Sequence, residues 1–452
     1  MATKSINVAD ESRSTMKTII LLAWPVFLEQ IMTTLVSYAD TAMVGSLGAW
    51  ATASVTISNS PIFLLNGIIM ALGVGITSLV ARAAGAGDPK MVQKLIRHAI
   101  MAIVAIGLPI CLLTIALHRL IPLWMGADAE ILDIAADYNL IVSIGRIFMI
   151  ISMMLNSAYR GYGDTKTPLL VNTVMNVVNV IGNFLLIYPT REISVFGMQF
   201  TMWGAGLEVV GAGIATAVGM ACSGLITLWI AFFRDNGYRV TLHGSWKPDW
   251  ALTKQIFRIS FPAMLERIFM SSSGIFVTSS IAKLGTANIA ANSLCLTAES
   301  LSYMPAFAFQ TSATTLVGQC LGARKPDRAQ KFVRTTMIMG LVTMVFTGLG
   351  LFVFSNQLIG IFTPDEEVIA IAAHCLRLVA FMQPPQVAGW ILSGVLRGAG
   401  DTKSNFYITA ATNWGVRTLW SVLCIRAFGL GLFSTQVVTL CEILIRMGLL
   451  YM

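Results

Sequence analysis

Asp40 stands inside a hydrophobic run of the chain, and further on Asn172, Asn176, Asn179 and Asn183 recur at spacings of 4, 3 and 4. At 100° per residue, those spacings keep all four carboxamides within a wedge of about 60° on one helix face. An ionised side chain at the centre of a bilayer costs about 2.5–3.5 kcal/mol, so an acid retained there is a functional candidate. Counted at about 1.5 Å per residue from the outer ends of their runs, Asn179 and Asn183 bracket the depth of Asp40. Carboxamides facing the acid satisfy it by hydrogen bonding and leave carbonyl oxygens for a sodium ion. The chemistry on offer is reversible uptake of H⁺ or Na⁺ at Asp40. The competing reading is packing, in which the asparagines join helices and Asp40 pairs with one of Arg146, Arg267, Arg377, Arg417 or Arg446. The chain repeats itself further on, and the equivalent positions there hold Val277, Thr409, Asn413, Val416 and Trp420. Packing alone gives no reason for one half to keep an acid and four asparagines that the other has mostly lost.

Two further acids, Glu29 and Glu266, each lie four residues after a proline, Pro25 and Pro262. Glu29 precedes Asp40 by about three helical turns, which puts both on one face roughly 16 Å apart. Glu29 either continues a polar path toward the cytosol or, with Glu266, does a structural job at proline-loosened helix starts. In the second half Met270, Phe276, Tyr303, Met304 and Phe307 flank Glu266 and Glu299. Sulfur and aromatic faces suit flat organic cations, and equally suit lipid or core packing. Pro384-Pro385 is expected to break its helix and, with Pro25 and Pro262, to supply a bend or gate. Seven scattered cysteines and four histidines show no zinc or redox spacing, so no cofactor is expected. No His-Asp or Glu-x-x-His arrangement suggests an enzyme.

The elements that must position these groups follow from composition. Of 452 residues, 56% are hydrophobic and 12% charged, where soluble chains carry about 25% charge. Twelve runs reach the roughly 20 residues needed to cross a bilayer. They are 17–47, 53–82, 94–118, 131–157, 167–189, 205–233, 254–282, 289–319, 333–361, 367–394, 404–426 and 432–452. With both termini cytosolic, cytosolic segments hold 21 of the 30 Lys and Arg residues and external loops four. The positive-inside rule thus accounts for the net charge of +8, so nucleic acid is not needed to explain it and no nucleic-acid partner is expected. The polar leader 1–16 and the long run after it predict an uncleaved chain in the cell membrane, among lipid.

The chain is also duplicated. One constant offset in numbering pairs Pro25 with Pro262, Leu28-Glu29 with Leu265-Glu266, Gly85-Ala86 with Gly322-Ala323, and YRGYGDTK (159–166) with LRGAGDTK (396–403). Six helices per copy return each half to its starting side, so the fold class is an all-α membrane protein of two pseudo-symmetric six-helix bundles, parallel repeats. The expected division is a leader 1–16, an N-lobe 17–233, a charged linker 234–250 and a C-lobe 251–452. Two lobes in one chain make a monomer sufficient. The repeated Arg-Gly-x-Gly-Asp-Thr-Lys element reads as a helix-to-helix turn capped by Asp164 or Thr165, since a phosphate loop would need G-x-x-x-x-G-K-[ST] after a strand.

SYADTAMVGSLG (37–48), LVARAAGAGDP (79–89) with LVGQCLGARKP (316–326), the two RGxGDTK turns and GAGIAT (211–216) together resemble the multidrug and toxic compound extrusion (MATE) family over essentially the whole chain. The resemblance implies export of organic, usually cationic compounds, drugs or toxic metabolites, by exchange with protons or sodium. It implies a cation-coupling role for Asp40, with Asn179 and Asn183 and with Tyr138 near the outer start of helix four. A second reading within transport is a flippase for lipid-linked precursors, which would want an arginine-rich cleft.

Overall fold

The computed structural model describes residues 14–195, 198–241 and 246–452; the leader up to position 13 and linker residues 242–245 lie outside them. In a hydrocarbon layer each backbone polar group must be satisfied within its own segment, so long apolar runs form helices. Among the described residues the long helices are α1 (Thr15–Gly45), α2 (Ala49–Gly85), α3 (Pro89–Ala116), α4 (Ala129–Tyr162), α5 (Lys166–Leu186) and α6 (Glu208–Phe233). They continue as α7 (Trp250–Ile281), α8 (Thr286–Gly322), α9 (Pro326–Val353), α10 (Glu366–Gly398), α11 and α12 (Leu432–Tyr451). Helix α11 runs Thr402–Thr412, passes through a π turn at Asn413–Thr418 and resumes as Leu419–Arg426.

Each of the twelve runs read from the sequence falls on one of these helices. Nine, among the described residues, are apolar and long enough to cross a membrane by length and composition. The other three depart for physical reasons: α7 carries Glu266-Arg267 in mid-course, α8 carries Glu299 among many Ser, Thr and Asn residues, and α11 carries Arg417 among Thr, Ser and Asn residues. Between α5 and α6, where the sequence reading places no strand, lies an antiparallel hairpin of β1 (Pro189–Val195) and β2 (Met198–Ala205), with Glu192 opposite Thr201.

Pro25 and Pro262 lie inside α1 and α7. The expected break at Pro384-Pro385 does not occur, because α10 is continuous from Glu366 to Gly398. Pro384 has no N–H to give the Ala380 carbonyl. Gly348 of α9 lies so close there that a Cβ would stand 2.8 Å from that oxygen. Packing from a neighbouring helix is what lets a membrane helix tolerate proline.

By packing, the chain divides into two units: 28–76 with 89–253, and 14–27 with 77–88 and 254–452. In the first, α4 meets α6 where Gly145 faces Ala217 and Gly224 faces Phe148, and α5 meets α6 where Gly182 faces Ala215. Val44, Tyr138, Val142, Ile187 and Met220 fill the core there. In the second, Val277, Cys295, Val379, Met382 and Ile443 form one core cluster. The second unit also holds a reciprocal contact between the end of α2 and the end of α8. A Cβ on Gly85 would strike the Gln319 carbonyl, and a Cβ on Gly322, its equivalent by the repeat, would strike the Arg82 carbonyl. Only glycine lets the two backbones approach so closely.

The repeated RGxGDTK element ends α4 in one copy and α10 in the other. Gly163 and Gly400 take φ of +93° and +75°, the left-handed conformation that glycine adopts without strain. Asp164 Oδ1 accepts from the Thr167 backbone N–H at 3.0 Å, and Asp401 Oδ1 from that of Ser404 at 3.1 Å. Each aspartate thus caps the helix that follows.

Candidate functional site

In the first unit α1, α2, α4, α5 and α6 enclose a cavity of about 270 Å³ lined by Asp40, Asn59, Asn66, Tyr138, Arg146 and Asn183 among others. Asn183 Nδ2 donates to Asp40 Oδ1 at 2.6 Å. The Asn179 amide is satisfied at both ends when its nitrogen faces the carboxylate, donating to Oδ1 at 2.9 Å and Oδ2 at 3.1 Å, while its oxygen accepts from Thr216 at 3.2 Å. The expected meeting of Asp40 with the α5 asparagine face is therefore present. Among the described residues no cation pairs with Asp40. Tyr138, also buried, accepts from Asn59 Nδ2 at 3.4 Å.

The four asparagines do not act together. Asn172 donates to Glu29 at 2.5 Å, and Asn176 is buried with its Nδ2 lacking a protein partner among the described residues. Glu29 also receives Arg160 at 2.5 Å. In the second unit Glu266 receives Arg397 at 2.9 Å and Asn405 at 2.8 Å. Both arginines belong to the repeated RGxGDTK element, so in each half that element supplies the counter-ion of the acid four residues after the proline. The signal was available, because acid and arginine recur at the same offset between the copies.

Glu299 is buried beside Tyr303 and Gln383, while Glu442 accepts from Thr412 at 2.8 Å and pairs with Arg446 at 3.4 Å. Phe276 is half exposed and packs edge-on to Trp414, Tyr303 lies against Trp390, and Met270, Met304 and Phe307 are partly exposed. None of these residues lines the Asp40 cavity.

A sodium ion takes oxygen ligands. Besides the Asp40 carboxylate and the Tyr138 hydroxyl, the cavity offers Asn66 Oδ1 and Asn183 Oδ1, both buried without a protein partner among the described residues. No group of three or more His, Cys, Asp and Glu gathers among the described residues, so a cation here would rest on one carboxylate and neutral oxygens. Sequence reasoning missed Asn59 and Asn66, two helical turns apart on α2. It counted Arg146 only as a partner for a membrane acid.

A family model described as MatE matches residues 25–185 and again 262–423, the two matches beginning at Pro25 and at Pro262, its equivalent by the repeat. The chain belongs to the MATE family. It is 27% identical over 431 residues to the probable multidrug resistance protein NorM of Thermotoga maritima, covering 95% of this chain and 90% of that one. It is 26% identical over 403 residues to the multidrug resistance protein MdtK of Yersinia pseudotuberculosis, covering 88% and 85%. The crystal structure of a MATE in complex with MaD3S superposes with a TM-score of 0.88 at 20% identity, over 98% of this chain and 96% of that one. The fold is accordingly the MATE fold: all-α, twelve spans in two six-helix bundles, in a multi-pass membrane protein. As a MATE transporter the chain is not an enzyme.

Proposed function

We propose that this MATE protein exports organic, mostly cationic compounds in exchange for H⁺ or Na⁺, with Asp40 as the group that binds and releases the driving cation. The observation that carries this reading is an acid that, among the described residues, has no arginine partner and is held by Asn183 and Asn179 at the wall of a cavity. Loading neutralises Asp40 and leaves the pocket with one balance of charge; unloading restores the other. The two states favour different arrangements of the lobes 17–233 and 251–452, whose alternation opens the path to either side. Each inward charge gains about 2.3 kcal/mol per 100 mV, so one or two per cycle drive export uphill. Glu29 and Glu266, each held by an arginine and an asparagine, fit the structural role better than the relay. The partly exposed aromatic and sulfur side chains of the second half suit adaptable contact with flat cations.

The test is transport in proteoliposomes under imposed pH or Na⁺ gradients. Asp40→Asn, close to isosteric, is expected to abolish gradient-driven export of a quaternary-amine dye while the protein remains folded. Undiminished export by that variant would contradict the reading.

A further inference from the structure

Arg146 is the group in the cavity that cation uptake leaves without a task. It lies at the middle of α4, midway between Ala129 and Tyr162. At about 1.5 Å per residue either end is about 25 Å away, too far for the side chain to reach either membrane surface. Its relative exposure is 1%. Nε, Nη1 and Nη2 are all buried without a protein hydrogen-bond partner among the described residues, yet the residue lines the same cavity as Asp40. A buried charge without hydrogen bonds is costly. Symmetry does not ask for it, because the equivalent residue of the second copy is Gln383, which accepts from Ser302 at 2.6 Å and donates to Val379 at 3.3 Å.

The cavity thus presents unsatisfied groups of both kinds. Arg146 offers donors arranged in a planar fork, the geometry that grips a carboxylate through two bonds. Asp40, Asn183 Oδ1 and Asn66 Oδ1 offer acceptors. We infer that this cavity binds zwitterionic compounds, an amine facing Asp40 and the asparagine oxygens and a carboxylate seated on Arg146. The inference rests on the export reading above and narrows its substrate class. A volume of about 270 Å³ admits a small aromatic amino acid or a molecule of similar bulk.

The test uses the full chain in lipid nanodiscs and two probes that differ only in the acid, 4-(aminomethyl)benzoate and its methyl ester, with binding measured calorimetrically. The native protein is expected to bind the acid at least tenfold tighter than the ester. Arg146→Gln should erase that preference, with the ester bound no more weakly than by the native protein and a native-like size-exclusion profile showing that the variant is folded. Arg146→Lys, keeping the charge but not the fork, should retain part of it. Equal binding of both probes, binding of neither, or a preference that survives Arg146→Gln overturns the inference; an arginine that merely balances Asp40 across the cavity gives equal binding. The two readings fail separately. Export that depends on Asp40 without a preference for the acid removes only the carboxylate arm, whereas an intact preference with undiminished export by Asp40→Asn removes only the coupling role.

Discussion

Among the described residues the buried acids Glu29, Glu266 and Glu442 have arginine partners, and Asp40 has none. Glu29, with a side chain 7% exposed, depends on Arg160, and Glu266, at 5%, on Arg397. Removing one member of such a pair strands a charge and costs about 3–5 kcal/mol, although replacing both is far milder. Arg160→Ala is therefore expected to lower the thermal unfolding temperature sharply, and Glu29→Gln combined with Arg160→Ala to recover most of the loss. On the proposed reading of Glu29 as a strut the double variant should still export; loss of export with restored stability would point instead to a relay. The asparagine partners are not repeat equivalents. Asn172 corresponds to Thr409, and Asn405 to Pro168, so no offset could have revealed them and only the packed helices show which amide reaches which acid.

At the scale of elements, the asparagine spacing on α5 and the offset between the copies were legible because both are properties of local periodicity. The meeting of Asp40 with Asn179 and Asn183 followed from them. The shape of the cavity was not legible, since Asn59 and Asn66 of α2 and Arg146 of α4 converge through helix packing that leaves no mark on any single run. The continuity of α10 was missed for a related reason: proline removes a donor, and whether the helix then breaks depends on what packs against the freed carbonyl. Close helix contact also yields a prediction. Gly322→Leu forces a side chain into the Arg82 carbonyl of α2, and Gly85→Leu does the converse. Each should reduce the yield of folded protein in the membrane, whereas the same change at Gly274, where a Cβ would meet nothing, should be tolerated. The comparison is read by size-exclusion profile after extraction.

For the whole molecule, the duplicated plan was written in the sequence and the MatE match repeats it, with two segments that begin at the paired prolines of α1 and α7. The hairpin between α5 and α6 was not foreseen, because its short alternating strands stand between two spans and carry no run of their own. Orientation rests on charge distribution and is open to direct measurement. Alkaline phosphatase joined after Arg191, within β1, is expected to be active outside the cell, and the same enzyme joined after Lys247 to stay inactive within. The reverse pattern would invert the chain and with it the direction in which Asp40 meets its cation.

The linker has its own bearing on how such a chain comes into being. Tyr238 is buried among Tyr159 and Tyr162 and donates to Asp164 Oδ2 at 2.8 Å; burial and then the adjacent carboxylate push its phenol upward, which keeps the proton in place for that bond. A ribosome delivers residues in order, so the RGxGDTK turn of the first bundle waits, unfastened, until position 238 has emerged. Six spans are then already made, and translation itself times the moment at which the leading half is buttoned shut before its twin begins.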